Sequence, residues 1–191
     1  QALAADLADR AINSDNLEDY WDSLTNNEMM TVDQRISRLH SVIDSAKLEE
    51  DDSWLSPEID GTFNFDSPAK IMQALENSGS SWAMETLEVL QKRSPLMLHV
   101  SLRQIRLGRH MSLADELRLE RTLVQHCFYT HHLKRTGAQT ETVEGIRALV
   151  IDKDHNPAWN PTRIQSVTSE MVDPFFVSPW AETDHPLADL N

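Results

Sequence analysis

Apolar residues recur along most of this chain at spacings of three and four, the period of an amphipathic helix, and seldom alternate as a half-buried strand requires. That pattern predicts helices over 2–12, 16–26, 31–47, 68–77, 81–93, 95–107, 112–128 and 142–151, then short turns to the C-terminus. The punctuation agrees with it. Ser67-Pro68 reads as a capped start with proline at the first helical position, and Asn77-Ser78-Gly79-Ser80 ends one helix and caps the next. Ser94-Pro95 restarts the chain, Gly108 stops it, and Ser112 caps the longest helix with Glu116 as a candidate capping-box partner. Thr140 or Thr142 is the expected cap of the last helix, with the Glu144 carboxylate placed to answer it.

Buried stripes are expected at Trp82, Leu87 and Leu90, then at Leu98, Leu102 and Ile105, and then at Leu113, Leu117, Leu123, Val124 and Cys127. A last stripe is expected at Val143, Ile146, Val150 and Ile151. Glu49 to Asp66, with Pro57, Gly61 and no sustained period, is the expected long loop. The segment is therefore mostly α, divided into an acidic helical stretch with its linker loop (1–66) and a helical part (67–191). Beyond the last helix the polar run Asp152-Lys153-Asp154 and the pairs Asn156-Pro157 and Asn160-Pro161 forbid further helix, and Trp159 between the prolines is expected to be a core anchor.

Charge changes this picture in one half only. Positions 1–90 hold nineteen acidic against five basic residues and positions 91–191 twelve of each, so the net charge of -14 belongs to the first half. Direct DNA or bare RNA binding there is disfavoured, because phosphate binding needs a basic footprint. The acids are dispersed, as on a solvated helical surface, and the densest run, Glu49-Glu50-Asp51-Asp52, lacks the glycine and alternating oxygens of a calcium loop. A length of 191 residues with 40% hydrophobic content suffices for a packed core. No apolar run approaches the roughly 20 residues of a bilayer span, so no membrane partner is expected. The chain opens on Gln1 inside an Ala/Leu-rich helical pattern, which suggests processing or a segment of a longer chain.

Candidate chemistry is sparse. Cys127, the single cysteine, sits on an apolar helix face and reads as a small buried hydrophobe. His126, His131 and His132 form the tightest histidine group, yet no further ligand stands at zinc spacing, and no metal site is predicted. His99, between Leu98 and Val100, reads as a half-buried packing residue. There is no Gly-x-Ser-x-Gly and no phosphate-cradling glycine loop, so no catalytic residue is assigned.

The run Glu144-Gly-Ile-Arg-Ala148 leading into Ile151-Asp-Lys-Asp-His-Asn-Pro-Ala-Trp159 resembles the C-terminal signature of the 3-hydroxyisobutyryl-CoA hydrolase family, a branch of the crotonase (enoyl-CoA hydratase/isomerase) superfamily. A second block runs from Ser94-Pro95-Leu96 through Leu102-Arg103-Gln104 and the helix carrying Leu113, Glu116, Leu119 and Glu120 to Cys127. It resembles the family's preceding segment. The likeness covers roughly Ser80 to Pro161, and the stretch Tyr129 to Thr140 departs from the family's shorter link.

The resemblance implies that this segment is the C-terminal helical part of an α/β crotonase-like fold, with an N-terminal strand-helix half supplied in cis or in trans. It implies hydrolysis of an acyl-CoA thioester in valine breakdown. Two backbone amides of the strand-helix half would hold the thioester oxygen while a glutamate and an aspartate outside this segment act on water and protons. No cofactor is implied beyond the CoA carried by the substrate. This segment would cover the acyl-CoA pocket, with Lys153, Arg147 and Arg103 as candidate cations for the nucleotide phosphates, each weighed against a surface ion pair. A homo-oligomer and a mitochondrial-matrix or bacterial-cytoplasmic location fit the same family. Two other readings stay open: a hydratase or isomerase of this fold, and a non-catalytic structural component such as a mitochondrial ribosomal protein.

Overall fold

The computed structural model describes residues 13–25, 30–45 and 57–190. The chain separates into two compact units, 1–59 and 60–191. In the first, the Asn13 side chain accepts the Asp15 amide at 3.0 Å and a short 3-10 turn leads into helix α1 (Leu17–Thr25). Helix α2 (Val32–Ser45) opens on a reciprocal box, the Thr31 amide donating to Gln34 Oε1 at 3.0 Å and the Gln34 amide to Thr31 Oγ1 at 3.3 Å. The helix expected over 2–12 and the acidic run Glu49–Asp52 lie outside the described residues.

Part of the expected long loop is helix instead. Helix α3 (Pro57–Phe63) starts with proline in its first turn, where the missing amide proton costs nothing, and ends on Phe63, whose ring meets Trp82 edge-on at 6.3 Å. That tertiary contact fixes a segment whose own period is too weak to read.

In the second unit the serine caps form as the spacing predicts. Ser67 accepts the Lys70 amide at 3.3 Å to open α4 (Pro68–Ser78), and Ser80 the Ala83 amide at 3.0 Å to open α5 (Ser81–Gln91). Gly79 between them takes the left-handed conformation, φ 65°, that lets its amide return to the Leu75 carbonyl. Ser94 accepts the Met97 amide at 3.2 Å to start α6 (Pro95–Gly108), and Ser112 the Asp115 amide at 3.2 Å to start α7 (Leu113–Phe128).

Asp115, not Glu116, answers Ser112, at 2.7 Å. Glu116 turns instead to Gln104 Nε2, at 3.5 Å, and lies over Gly108, where an added Cβ would come within 2.6 Å of Oε2. The glycine that ends α6 thus makes room for α7.

Helices α4 and α5 pack together around Ile71, Leu75, Ala83 and Leu87, with Trp82, Leu90 and Leu102 at the margin. The larger cluster joins α6 and α7 through Leu96, Val100 and Leu123, and Val172 and Phe175 close it from the C-terminal stretch. Helix α9 (Ser169–Val172) and the turn Asp173–Phe176 lie on α6 and α7. Two expected stripes are therefore displaced. On α6 the buried positions are Leu96 and Val100, while Ile105 is exposed; on α7 Leu123 is buried and Leu119 and Cys127 pack partly buried beside it, while Leu113, Leu117 and Val124 face out. Both helices are apolar on more than one side, so period alone does not choose which side turns inward.

The last stretch folds back under Arg118. Its Nε donates to the Leu187 carbonyl at 3.0 Å, and Nη2 to those of Ala188, at 3.4 Å, and Leu190.

Candidate functional site

Helix α8 (Glu141–Ile146) and the loop leaving it hold most of the run Glu144 to Trp159. Thr140, not Thr142, is its cap, accepting the Val143 amide at 3.2 Å. After Ile146 the ladder widens to a π turn over Arg147–Ile151, closed by the Asp152 amide on the Arg147 carbonyl at 2.8 Å. The exit then passes through two left-handed non-glycine residues, Lys153 (φ 56°) and His155 (φ 53°), a conformation that persists only where the surroundings enforce it.

Arg147 enforces it. Its guanidinium meets both Glu144 oxygens (2.8 and 2.9 Å), Asp152 (2.6 Å), Asp154 (2.7 Å) and the Asn156 carbonyl (3.1 Å). The Arg147 bond holds the Glu144 carboxyl below its usual range, and the Ala158 amide, 2.6 Å from Oε1, adds to the effect. Asp154 is lowered in the same way, first by Arg147 and then by the Asn156 amide at 2.9 Å. Glu144 thus ties the loop to its own helix rather than completing a cap.

A second carboxylate, Glu141, is a hub that the sequence did not single out. It is buried at the start of α8, pairs at 3.2 Å with Arg135, whose side chain is 9% exposed, accepts the Asn160 amide at 3.0 Å, and takes the Ser94 hydroxyl on its other oxygen. One residue so joins the α6 cap, the α8 start and the cis Asn160–Pro161 peptide. Neither Ser94, between Arg93 and Pro95, nor Arg135, between Lys134 and Thr136, stands out from its neighbours, and their meeting at Glu141 is tertiary.

Between the end of α5 and this exit lies a cavity of about 620 Å³. Val89 and Arg93 border it on one side, Leu149, Val150 and His155 on another, and Trp159 across it. Trp159 is half-buried rather than a core anchor. Its Nε1–H donates to the Lys92 carbonyl at 3.0 Å, satisfying a C-terminal carbonyl of α5, and its ring lies on Gly145, where a Cβ would stand 3.3 Å away. Ile146, Leu149 and Val150 remain exposed along the cavity lining, and Ile151 is exposed next to them in the chain. The site can hold and cover an apolar body, and the carboxylates beside it, Glu141 and Glu144, are held by structural donors.

The three candidate cations do not converge. Arg147 is the loop's clamp, and Lys153 is exposed beside it with no ion pair among the described residues. Arg103 is on α6, paired with Asp173 at 2.6 Å and lying 4.2 Å over the Phe176 ring, at a separate cavity of about 390 Å³. His99 lines that second cavity, its pKa pushed down by burial.

Of the expected histidine group, His126 and His132 are packing residues, while His131 is exposed. His126 bonds to the Val177 carbonyl at 2.8 Å and His132 to that of Met171 at 3.2 Å, with Phe175 between them at 6.1 and 5.0 Å. Cys127 packs on the same cluster, and burial pushes its thiol up. Among the described residues no three metal-ligating side chains converge, and no helix is long and apolar enough to cross a membrane.

The family model described as enoyl-CoA hydratase/isomerase matches residues 1–176, extending the likeness well before Ser80. Curated relatives include the mitochondrial 3-hydroxyisobutyryl-CoA hydrolase of Homo sapiens, 34% identical over 137 residues, covering 70% of this chain and 33% of that protein. The Danio rerio protein of the same name is 29% identical over 176 residues, covering 90% of this chain and 44% of that protein. The chain thus spans less than half the length of these relatives. A solved structure, a carnitinyl-CoA dehydratase from Mycobacterium thermoresistibile, superposes with a TM-score of 0.74 at 22% identity over 97% of this chain and 48% of the other. The shared fold is the crotonase fold, of which this segment is a helical part.

Proposed function

The chain belongs to the enoyl-CoA hydratase/isomerase family, and from that premise we propose that it forms the helical part of an acyl-CoA thioester hydrolase similar to 3-hydroxyisobutyryl-CoA hydrolase. One observation carries the reading: the signature run Glu144–Trp159 is folded by a single guanidinium into a rigid exit that frames an apolar cavity. The strand-helix half would bring the oxyanion amides and the acid/base carboxylates, and this segment would cover the acyl-CoA pocket. Of the three cations only Lys153 is left for a nucleotide phosphate, since Arg147 and Arg103 are held by carboxylates. A mitochondrial-matrix or bacterial-cytoplasmic location belongs to the same reading, and the mitochondrial relatives support the first.

The test joins this chain to a strand-helix half supplied in trans and follows release of free CoA thiol from 3-hydroxyisobutyryl-CoA. The expected result is hydrolysis by the pair and none by either part. Hydration of an enoyl-CoA without hydrolysis would make it a hydratase, and a stable, inactive pair would make it a structural component. In the active pair Lys153→Ala should raise KM for the CoA ester and leave kcat unchanged, the pattern of lost uniform binding.

A further inference from the structure

Helix α7 has two apolar faces. One enters the core through Leu119, Leu123 and Cys127. The other carries Leu113, Leu117, Val124 and Phe128, exposed by 76%, 36%, 49% and 42%. Steps of four, seven and four keep these residues in one stripe along the helix, and the gap at its centre is filled by a charged pair, Glu120 and Arg121.

The stripe is self-complementary about the point between residues 120 and 121. Leu113 stands as far before that point as Phe128 stands after it; Leu117 mirrors Val124, and Glu120 mirrors Arg121. We propose that a second copy of this chain docks here, α7 against α7 in an antiparallel two-fold contact that sets Leu113 on Phe128, Leu117 on Val124 and Glu120 against Arg121 across the axis.

Charge selects this arrangement. A parallel pairing would oppose Glu120 to Glu120 and Arg121 to Arg121, whereas the antiparallel one gives two attractive pairs and fixes the register. Glu120 is exposed and makes no ion pair among the described residues. Arg121 lays its guanidinium face on Trp180 at 4.9 Å, which leaves the edge donors for a carboxylate. Burying the stripe removes four large apolar side chains from water on each copy. A helix of 16 residues spans about 24 Å. The contact therefore lies at the small end of specific interfaces, below about 1,200 Å² in total, and gives a dimer that dissociates on dilution.

Sedimentation equilibrium over a concentration series tests the proposal on the 191-residue chain, with Glu120→Arg, Arg121→Glu, the double variant and Leu117→Asp. Circular dichroism melts establish that each variant is folded. The expected wild type is a concentration-dependent dimer. Each charge swap should weaken it at least tenfold and Leu117→Asp should abolish it, while the double variant should recover it because the exchanged charges meet again across the axis. Should Arg121→Glu fail to fold for want of the Trp180 contact, Glu120→Arg and Leu117→Asp carry the test alone. A monomer at every concentration, a trimer, or charge swaps that leave the dimer intact overturn the proposal. So does a dimer that dissolves when a strand-helix half is added, since that half would then own the face.

Discussion

Along α6, Leu96 and Val100 are sealed at 0% and 1% exposure in one cluster with Phe175, whereas in the π turn after α8, Leu149, Val150 and Ile151 stand 61%, 59% and 68% exposed. Both stretches are comparably apolar in sequence. What differs is the partner: α6 has α7 and the C-terminal stretch over it, and the π turn has a cavity. The sealed stretch shows where stability lies, and the open one where apolar surface is left uncovered. The polar side chains follow the same division. Glu141 is buried and joins three elements, while Arg147 is partly open to water and shapes one loop.

Phe175→Ala should show the comparison at its sharpest, costing about 3–5 kcal/mol in denaturant unfolding because a sealed aromatic leaves a cavity. Leu149→Ala, of similar chemistry, should cost less than about 0.5 kcal/mol in the same experiment. Equal losses would mean that the π turn is packed in solution.

Next in size, Arg135→Ala should cost about 3 kcal/mol, since it leaves the Glu141 carboxylate buried without its cation. A loss near that of an exposed pair would remove Glu141 from the centre of the unit.

Acid should loosen the fold in two stages. Burial holds His99 and His132 below their ordinary 6.5, so as pH falls through about 6.5 the unfolded chain takes up protons first and stability declines from its neutral value. Glu144 and Asp154, lowered by Arg147, keep their contribution above their ordinary 4.5 and 3.8 and lose it as pH falls further. Melting midpoints at about pH 7.5 and about pH 5.5 should differ, and less so in His99→Phe, which no longer titrates. An unchanged difference would place the first stage elsewhere.

The smallest effect belongs to Lys153. Relief of its left-handed backbone, worth about 1–2 kcal/mol, should offset the added freedom of the unfolded chain, about 0.5–1 kcal/mol, so Lys153→Gly should melt no lower than wild type. A clear loss would show that the side chain holds the loop.

The helices and their caps were legible because they are local. Ser67, Ser80, Ser94, Ser112 and Gly79 act within four residues of themselves. Which side of a helix turns inward was not legible where apolar residues surround it, as at Ile105 and Val124, because packing settles the choice. The crotonase family was legible in the ordered run from Glu144 to Trp159, but the work of that run was not. Arg147 stands within ten residues of Glu144, Asp152 and Asp154, a density of acids around one cation that marks a clamp, whereas Glu141 meets Ser94 across forty-seven residues and left no local trace.

The π turn also sets how this chain tolerates change in length. Each residue of an α-helix advances the chain by about 100° of rotation. The widened ring absorbs one such step, so removing one residue between 148 and 151 would close it into an ordinary α turn with the Asp152 amide still on the Arg147 carbonyl, leaving Asp152 and Asp154 at the guanidinium and Trp159 on Gly145. A one-residue gap placed here when relatives are aligned therefore denotes the same exit leaving an ordinary helix, whereas a gap in the loop 152–158 denotes a different exit.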